Sequence, residues 1–246
     1  MGHYALVGRR LGHSWSQRWF EDLFTRLGLQ DCSYRPHEME SLEGLRQWVA
    51  DERIDGFNVT IPYKQTIMPM LDSVDPEAEA IGAVNCVCVD NSRLIGHNTD
   101  APAFRQTLEK SLHECGAAMP QRALILGTGG AAHAAAFALR QMGLENKYVS
   151  RTPSAGTIGY TCLEKEISGS TILINATPVG MWPDISDSPW PEPGLLKRFI
   201  LVYDMIYNPS PTLLMRQASA QGTSVCGGLA MLHRQAELSW QLWRRQ

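Results

Sequence analysis

Short apolar runs alternate with amphipathic stretches along the chain. Residues 4–7 form an apolar run that ends at Gly8 and predict a strand. Trp19, Phe20, Leu23, Phe24 and Leu27 recur at helical spacing, which predicts a helix over 16–27 closed by Gly28. A second strand is expected at 33–35. Leu42, Leu45, Trp48 and Val49 share one face of a helix over 41–50. A third strand, 56–60, is stopped by Pro62. Residues 83–89 and 94–95 predict a hairpin that turns at Asp90-Asn91-Ser92.

The pattern changes character after Asp100. A helix is expected over 104–115, then a short, fully apolar strand at 123–126, of the kind buried on both faces of a parallel sheet. A glycine turn at 127–130 leads into an Ala-rich helix, 131–142, closed by Gly143. Further strands are expected at 147–150, 171–175 and 200–204, and an amphipathic helix at 230–243. Strands alternating with helices imply an α/β chain with a doubly wound parallel sheet.

Composition narrows the function classes. The 246 residues are 44% hydrophobic and 19% charged, which suits one large globular domain or two smaller ones. A net charge of −3 offers no broad basic face, so no nucleic-acid partner is expected. The six cysteines make no disulfide scaffold. Cys86 and Cys88 stand as C-x-C within a strand, unlike the C-x-x-C of zinc or redox sites, so buried thiols and no metal are expected. The start MGHYALVGRR has no secretory pattern and 123–139 is a poor membrane span, so a soluble cytoplasmic protein is expected.

Gly127-Thr128-Gly129-Gly130-Ala131-Ala132 fits G-x-G-x-x-A, between a strand and a helix. Glycines there let the backbone turn tightly and approach a pyrophosphate, and the helix N-terminus supplies free N–H groups. An NAD site would end the next strand with a carboxylate on the ribose. This chain has Ser150-Arg151-Thr152 instead, and a guanidinium suits a phosphate, which favours NADP.

Three polar motifs precede that turn: Gly12-His13-Ser14-Trp15-Ser16, Phe57-Asn58-Val59-Thr60-Ile61-Pro62-Tyr63-Lys64, and Ile81-Gly82-Ala83-Val84-Asn85 with His97-Asn98-Thr99-Asp100. Ser14 and Ser16 can cap a helix or bind a carboxylate. Together with a nucleotide site, the cluster suits a polyhydroxylated acid undergoing hydride transfer, in which a group must move the hydroxyl proton. Lys64 oriented by Asp100, or Asp100 beside Lys64 as electrostatic partner, fits that task equally well.

These motifs, with SRT at 150–152, NATPVGM at 175–181, YDMIYNPSPTLL at 203–214 and GGLAMLHRQA at 227–236, resemble the shikimate dehydrogenases nearly end to end. The resemblance implies NADP-linked interconversion of 3-dehydroshikimate and shikimate, a step toward chorismate and the aromatic amino acids. It implies two α/β domains with a cleft between them: a substrate-binding domain, 1–101, completed by the helix at 230–246, and a Rossmann-type NADP-binding domain, 102–229. Carried onto this chain, it makes Lys64 and Asp100 the catalytic pair. Ser14 and Ser16 would hold the substrate carboxylate with Tyr207 nearby, and Thr60, Asn85 and Gln235 would bond the ring hydroxyls. Gly127, Thr128, Gly129, Gly130 and Ala131 would cradle the pyrophosphate. Ser150, Arg151 and Thr152 would take the adenosine phosphate, and Met205 and Gly228 would line the nicotinamide end.

The chain departs from the family pattern at Arg10, Gln17, Arg18-Trp19, Cys86, the segment Ala101-Pro102-Ala103, and Ser150, none of which removes a catalytic group. Two other readings fit the resemblance less well. One is a quinate/shikimate dehydrogenase of broader specificity, against which Arg151 speaks where NAD is concerned. The other is a non-catalytic NADP-binding sensor, which would not need Lys64 and Asp100. A monomer or a homodimer is expected.

Overall fold

The computed structural model describes residues 2–12, 15–167 and 170–245; His13 and Ser14 of the first polar motif therefore lie outside the described residues. Among the described residues the elements run β1 (Gly2–Gly8), α1 (Trp15–Leu27), β2 (Cys32–Glu38), α2 (Leu45–Asp51), β3 (Gly56–Val59), β4 (Ser73–Val74), α3 (Pro76–Ile81), β5 (Cys86–Asp90) and β6 (Arg93–His97). They continue α4 (Asp100–Glu114), β7 (Arg122–Leu126), α5 (Gly130–Gln141), β8 (Glu145–Val149), β9 (Thr157–Ile158), α6 (Leu163–Glu166), β10 (Thr171–Asn175), β11 (Leu201–Asp204), α7 (Leu213–Ala220), β12 (Ser224–Gly227) and α8 (Leu229–Trp243). The chain divides into a unit made of Met1–Asp100 with His233–Gln246 and a unit made of Ala101–Leu232. No helix among the described residues is long and apolar enough to cross a membrane.

The first unit holds a mixed sheet in the order β2-β1-β3-β5-β6-β4. β1 pairs in parallel with β2 and β3, β5 pairs antiparallel with β3 and β6, and β4 is parallel to β6. Only β5 therefore runs against the others among the described strands. The two-residue turn Asn91-Ser92 joins β5 to β6, both residues having positive φ (47° and 65°), as a tight hairpin requires.

Alternation along the strands sends side chains to two faces. Ala5, Val7, Phe57, Val59 and Val87 enter a core with Leu45 and Val49 of α2. Tyr4, Tyr34, Cys86 and Cys88 enter the opposite core with Phe20 and Phe24 of α1 and Trp240 and Trp243 of α8. This second core is an aromatic stack, with Tyr4–Trp243 centroids 4.7 Å apart and Phe20–Tyr34 4.2 Å apart. Trp243 Nε1 donates to Val87 O at 3.0 Å, so the indole is satisfied where it is buried.

The second unit holds an all-parallel sheet in the order β12-β11-β10-β7-β8-β9. Counted from β7 as the first strand this is 3-2-1-4-5-6, the dinucleotide-binding order. Its centre reads as unbroken apolar runs, Ala123–Leu126 and Ile172–Ile174, because helices cover both faces. The order reverses between β7 and β10, and ligands of such sheets bind outside the strand ends at that point.

Two expected boundaries moved for local reasons. The helix expected over 41–50 begins only at Leu45, because Gly44 sits in the left-handed region (φ 79°) and cannot continue a helix from Leu42. The helix expected from 104 begins at Asp100, since Pro102 falls in the first turn, where proline needs no N–H.

A Cβ added to Gly56 would lie 2.5 Å from Trp243 Cδ1 and Nε1, so α8 rests on bare backbone there. Gly56→Ala is expected to cost about 1–3 kcal/mol of first-unit stability by overpacking. Trp243→Ala is expected to cost about 3–5 kcal/mol by cavity formation. Urea denaturation followed by tryptophan fluorescence measures both.

Candidate active site

Three segments meet at one edge of the first sheet because of strand polarity. β3 leaves the sheet toward Thr60 and Lys64, β6 leaves it toward Asp100, and antiparallel β5 begins there just after Asn85. The turn carrying Lys64 is tied to Asn85's neighbour by Val84 N donating to Lys64 O at 2.7 Å. Thr60 N donates to Val7 O at 2.9 Å, so the end of β1 reaches the same edge.

Lys64 Nζ lies 2.6 Å from Asp100 Oδ2, and the two side chains are 17% and 7% exposed. A pair this dry needs its other polar atoms satisfied. Asn85 Nδ2 supplies a bond to Asp100 Oδ1 at 2.9 Å and another to Thr99 Oγ1 at 2.9 Å. Thr99 N returns a bond to Asn85 Oδ1 at 2.6 Å. Gln235 Oε1, on α8, lies 3.5 Å from Asn85 Nδ2. Lys64, Asp100, Asn85 and Gln235 are thus brought together, with half-buried Thr60 at the same edge. Ser16 is a buried residue inside the first turn of α1 and does not precede the helix. Tyr207 belongs to the second unit, where burial pushes its phenol pKa up.

Sequence reasoning missed the layer beneath. Asn58 takes a bond from Tyr34 Oη at 2.9 Å and donates to Asn85 O at 3.1 Å and to Ser239 Oγ at 2.8 Å. The available signal was a polar residue between Phe57 and Val59 in a wholly buried strand, and a serine between Leu238 and Trp240.

In the second unit the glycine turn lies at the switch point of the sheet. Gly127 has φ 102°, and a Cβ there would come within 3.2 Å of Ala176 O, at the end of β10. Among the described residues no side chain caps α5 at Gly129, and a Cβ at Gly129 would meet none of their atoms within 4 Å. The first-turn N–H groups are therefore free to face an anion, and Thr128 and Gly129 are exposed. Ala131 and buried Ala132 open α5 against the sheet. After β8, Ser150 Oγ donates to Thr152 O and accepts from Thr152 N. That closes a turn whose outer members, Arg151 and Thr152, are exposed. Met205 and Gly228 adjoin: a Cβ on Gly228 would fall 2.0 Å from Met205 O, and Gly228 N donates to Ile206 O. The residues fit a phosphorylated dinucleotide: an open helix start, a turn only glycine can make, and an exposed guanidinium one strand over.

The class this geometry defines is a two-unit α/β oxidoreductase with its own nicotinamide cofactor. Known proteins carry the assignment further. The shikimate dehydrogenase substrate binding domain matches residues 6–87. The NADP(+) shikimate dehydrogenase of Methanococcus maripaludis is 33% identical over 97% of this chain and 90% of the relative. That of Clostridium beijerinckii is 35% identical over 99% and 92%. Shikimate dehydrogenase 1 from Peptoclostridium difficile superposes with a TM-score of 0.88 at 33% identity, covering 100% of this chain and 92% of that one. The Thermus thermophilus enzyme in complex with NADP(H) and shikimate superposes with a TM-score of 0.84 at 35% identity, over 100% and 94%. The chain belongs to the shikimate dehydrogenase family.

One buried acid in the second unit is separate from this chemistry. Asp204, fully buried at the end of β11, accepts bonds from Asn175 Nδ2, Thr212 Oγ1 and Ile206 N. Burial outweighs those bonds and pushes its carboxyl up from 3.8 to about 6. Between those values the folded chain keeps a proton that the unfolded chain has released, so stability falls as pH rises through that window. Asp204→Asn removes this dependence. By calorimetry, the variant's thermal midpoint is expected to gain several degrees on the parent's between pH 4 and pH 7, on the order of 3 kcal/mol at most.

Proposed function

We propose that this protein reversibly reduces 3-dehydroshikimate to shikimate with NADPH, as a cytoplasmic monomer or homodimer. The observation that carries the reading is the part-buried Lys64–Asp100 pair at 2.6 Å, held by Asn85 at the ligand edge of the first sheet. NADP would rest on Gly127–Ala131 and on Ser150, Arg151 and Thr152, with Met205 and Gly228 at the nicotinamide, and it supplies the hydride when bound.

In this reading the protein's own groups handle the proton and the orientation. Both Asp100 oxygens already accept bonds, one from Lys64 and one from Asn85. The ammonium of Lys64 spends one of its three protons on Asp100, so Lys64 is the group that delivers a proton to the ketone oxygen and recovers it in the reverse direction. Asp100 aims and stabilises that cation. Thr60 and Gln235 would bond the ring hydroxyls, with the second lone pair of Asn85 Oδ1 open to a third, and Ser14 and Ser16 would hold the carboxylate. Hydroxyl and amide groups at fixed positions reject analogues that lack the matching hydroxyl, because the protein's polar groups would be left unpaired.

The direct test is absorbance at the reduced-nicotinamide band with shikimate or quinate and NADP or NAD in all four combinations. Rapid reduction with shikimate and NADP supports the reading; reduction only with quinate or only with NAD overturns it. Lys64→Ala is expected to lower kcat by about 10²–10⁴ while NADP binding, followed by fluorescence titration, stays within twofold. Arg151→Ala is expected to raise KM for NADP about 10–100-fold, as for the loss of a charged hydrogen bond, and leave KM for NAD unchanged.

A further inference from the structure

The hydrogens in the layer below the catalytic pair can be assigned so that each of its contacts is met. A backbone N–H only donates, so the 2.6 Å contact from Thr99 N fixes Asn85 Oδ1 on that side. Asn85 Nδ2 must then face Thr99 Oγ1 and Asp100 Oδ1, and both its hydrogens are spent. The 3.5 Å distance to Gln235 Oε1 is too long to compete. Thr99 Oγ1, accepting from Asn85, turns its own proton elsewhere.

That proton meets Ser239. Thr99 Oγ1 and Ser239 Oγ are 3.2 Å apart, and Ser239 Oγ already donates to Gln235 O at 2.9 Å. With Thr99 as the donor, both contacts are satisfied at once. Ser239 Oγ fills its two acceptor positions with Thr99 and with Asn58 Nδ2 at 2.8 Å. Asn58 is oriented in turn by Tyr34 Oη on its carbonyl oxygen and by Asn85 O on its second amide hydrogen. The Cys86 thiol, fully buried and held in its neutral form, lies against the same serine. Ser239 itself is 0% exposed, so bulk solvent does not reach its oxygen.

We propose that Ser239 is a positioning residue for the reaction: its oxygen accepts the Thr99 and Asn58 protons and so holds the Asn85 amide on Asp100. The proposal rests on the function proposed above. It identifies one oxygen on α8 as what keeps Thr99 an acceptor for Asn85. Without it, the Thr99 hydroxyl loses the one side-chain oxygen other than its own neighbours' that it is seen to bond among the described residues, and its proton is free to turn against the Asn85 amide.

The test compares Ser239→Ala, Ser239→Thr and Trp240→Phe with the parent. Trp240 is a control on the same helix: it is buried, and its Nε1 has no hydrogen-bond partner among the described residues. Ser239→Ala is expected to lower kcat for shikimate oxidation about 10–30-fold with KM for NADP within twofold. Ser239→Thr is expected to restore kcat to within about threefold of the parent, and Trp240→Phe to stay within twofold. In ¹H–¹⁵N spectra the Asn85 side-chain amide, identified by its loss in Asn85→Ala, is expected to move in Ser239→Ala and stay near the parent position in Ser239→Thr. The proposal is overturned if Ser239→Ala keeps kcat within twofold, if Ser239→Thr loses as much as Ser239→Ala, or if the Asn85 amide does not move. A parent that does not turn over shikimate overturns the function proposed above, and the amide resonance still decides the positioning role.

Discussion

Two opposite charges can stay out of water only when their remaining protons and lone pairs are met by protein groups, and Lys64 with Asp100 poses that requirement in this fold. Removing one partner of such a pair costs about 3–5 kcal/mol, because the other is left charged and dry. Much of the first unit can be read as the answer. Asn85 stands at the start of the one strand that runs against its neighbours, which brings its amide to the edge where the others end. The polar layer of Asn58, Thr99 and Ser239 keeps that amide facing one way. An apolar core beneath the pair would pack as well, but it would give Asn85 no reason to choose Asp100 over solvent.

The second unit meets a different requirement by different means. Where backbone must approach backbone closely, side chains are absent: Gly127 faces the end of β10 and Gly228 lies against Met205 O. Charge is supplied late, by Arg151 on an exposed turn built from Ser150 and Thr152. Rigid strands place the turns, and the turns carry the chemistry. The first unit encloses the Lys64–Asp100 pair and fixes it; the second leaves Thr128, Gly129, Arg151 and Thr152 exposed.

What could be read from the sequence follows the same division. The apolar runs at 123–126 and 171–175, the glycine turn and the helical spacing in 16–27 each have a local cause, and each element formed where expected. Lys64, Asp100 and Asn85 stood out through the polar motifs they belong to and the family resemblance those motifs carry, and the structure brings the three side chains together. Elements whose causes are less periodic were missed. α3 starts from an Asp75 cap with Pro76 behind it, and α7 from a Thr212 cap, both too short to show a repeating apolar face. β12 is only half-buried and carries no strong alternation. Ser239 was invisible for another reason: its partners Asn58 and Thr99 are far away in sequence, and a serine inside an amphipathic helix has no local signature.

The first unit is discontinuous, and this gives the protein an order of assembly. Its second piece, His233–Gln246, leaves the ribosome only after the whole of Ala101–Leu232 has been made. Until then Tyr4, Phe20 and Tyr34 have no Trp240 or Trp243 to stack on, and the nascent chain shows a broad aromatic face to its surroundings. The cofactor-type sheet, contiguous in sequence, can close while synthesis continues. The active-site edge cannot, because one of its oxygens arrives on the last helix, so a stalled or truncated chain would be a sticky chaperone client long before it was a catalyst.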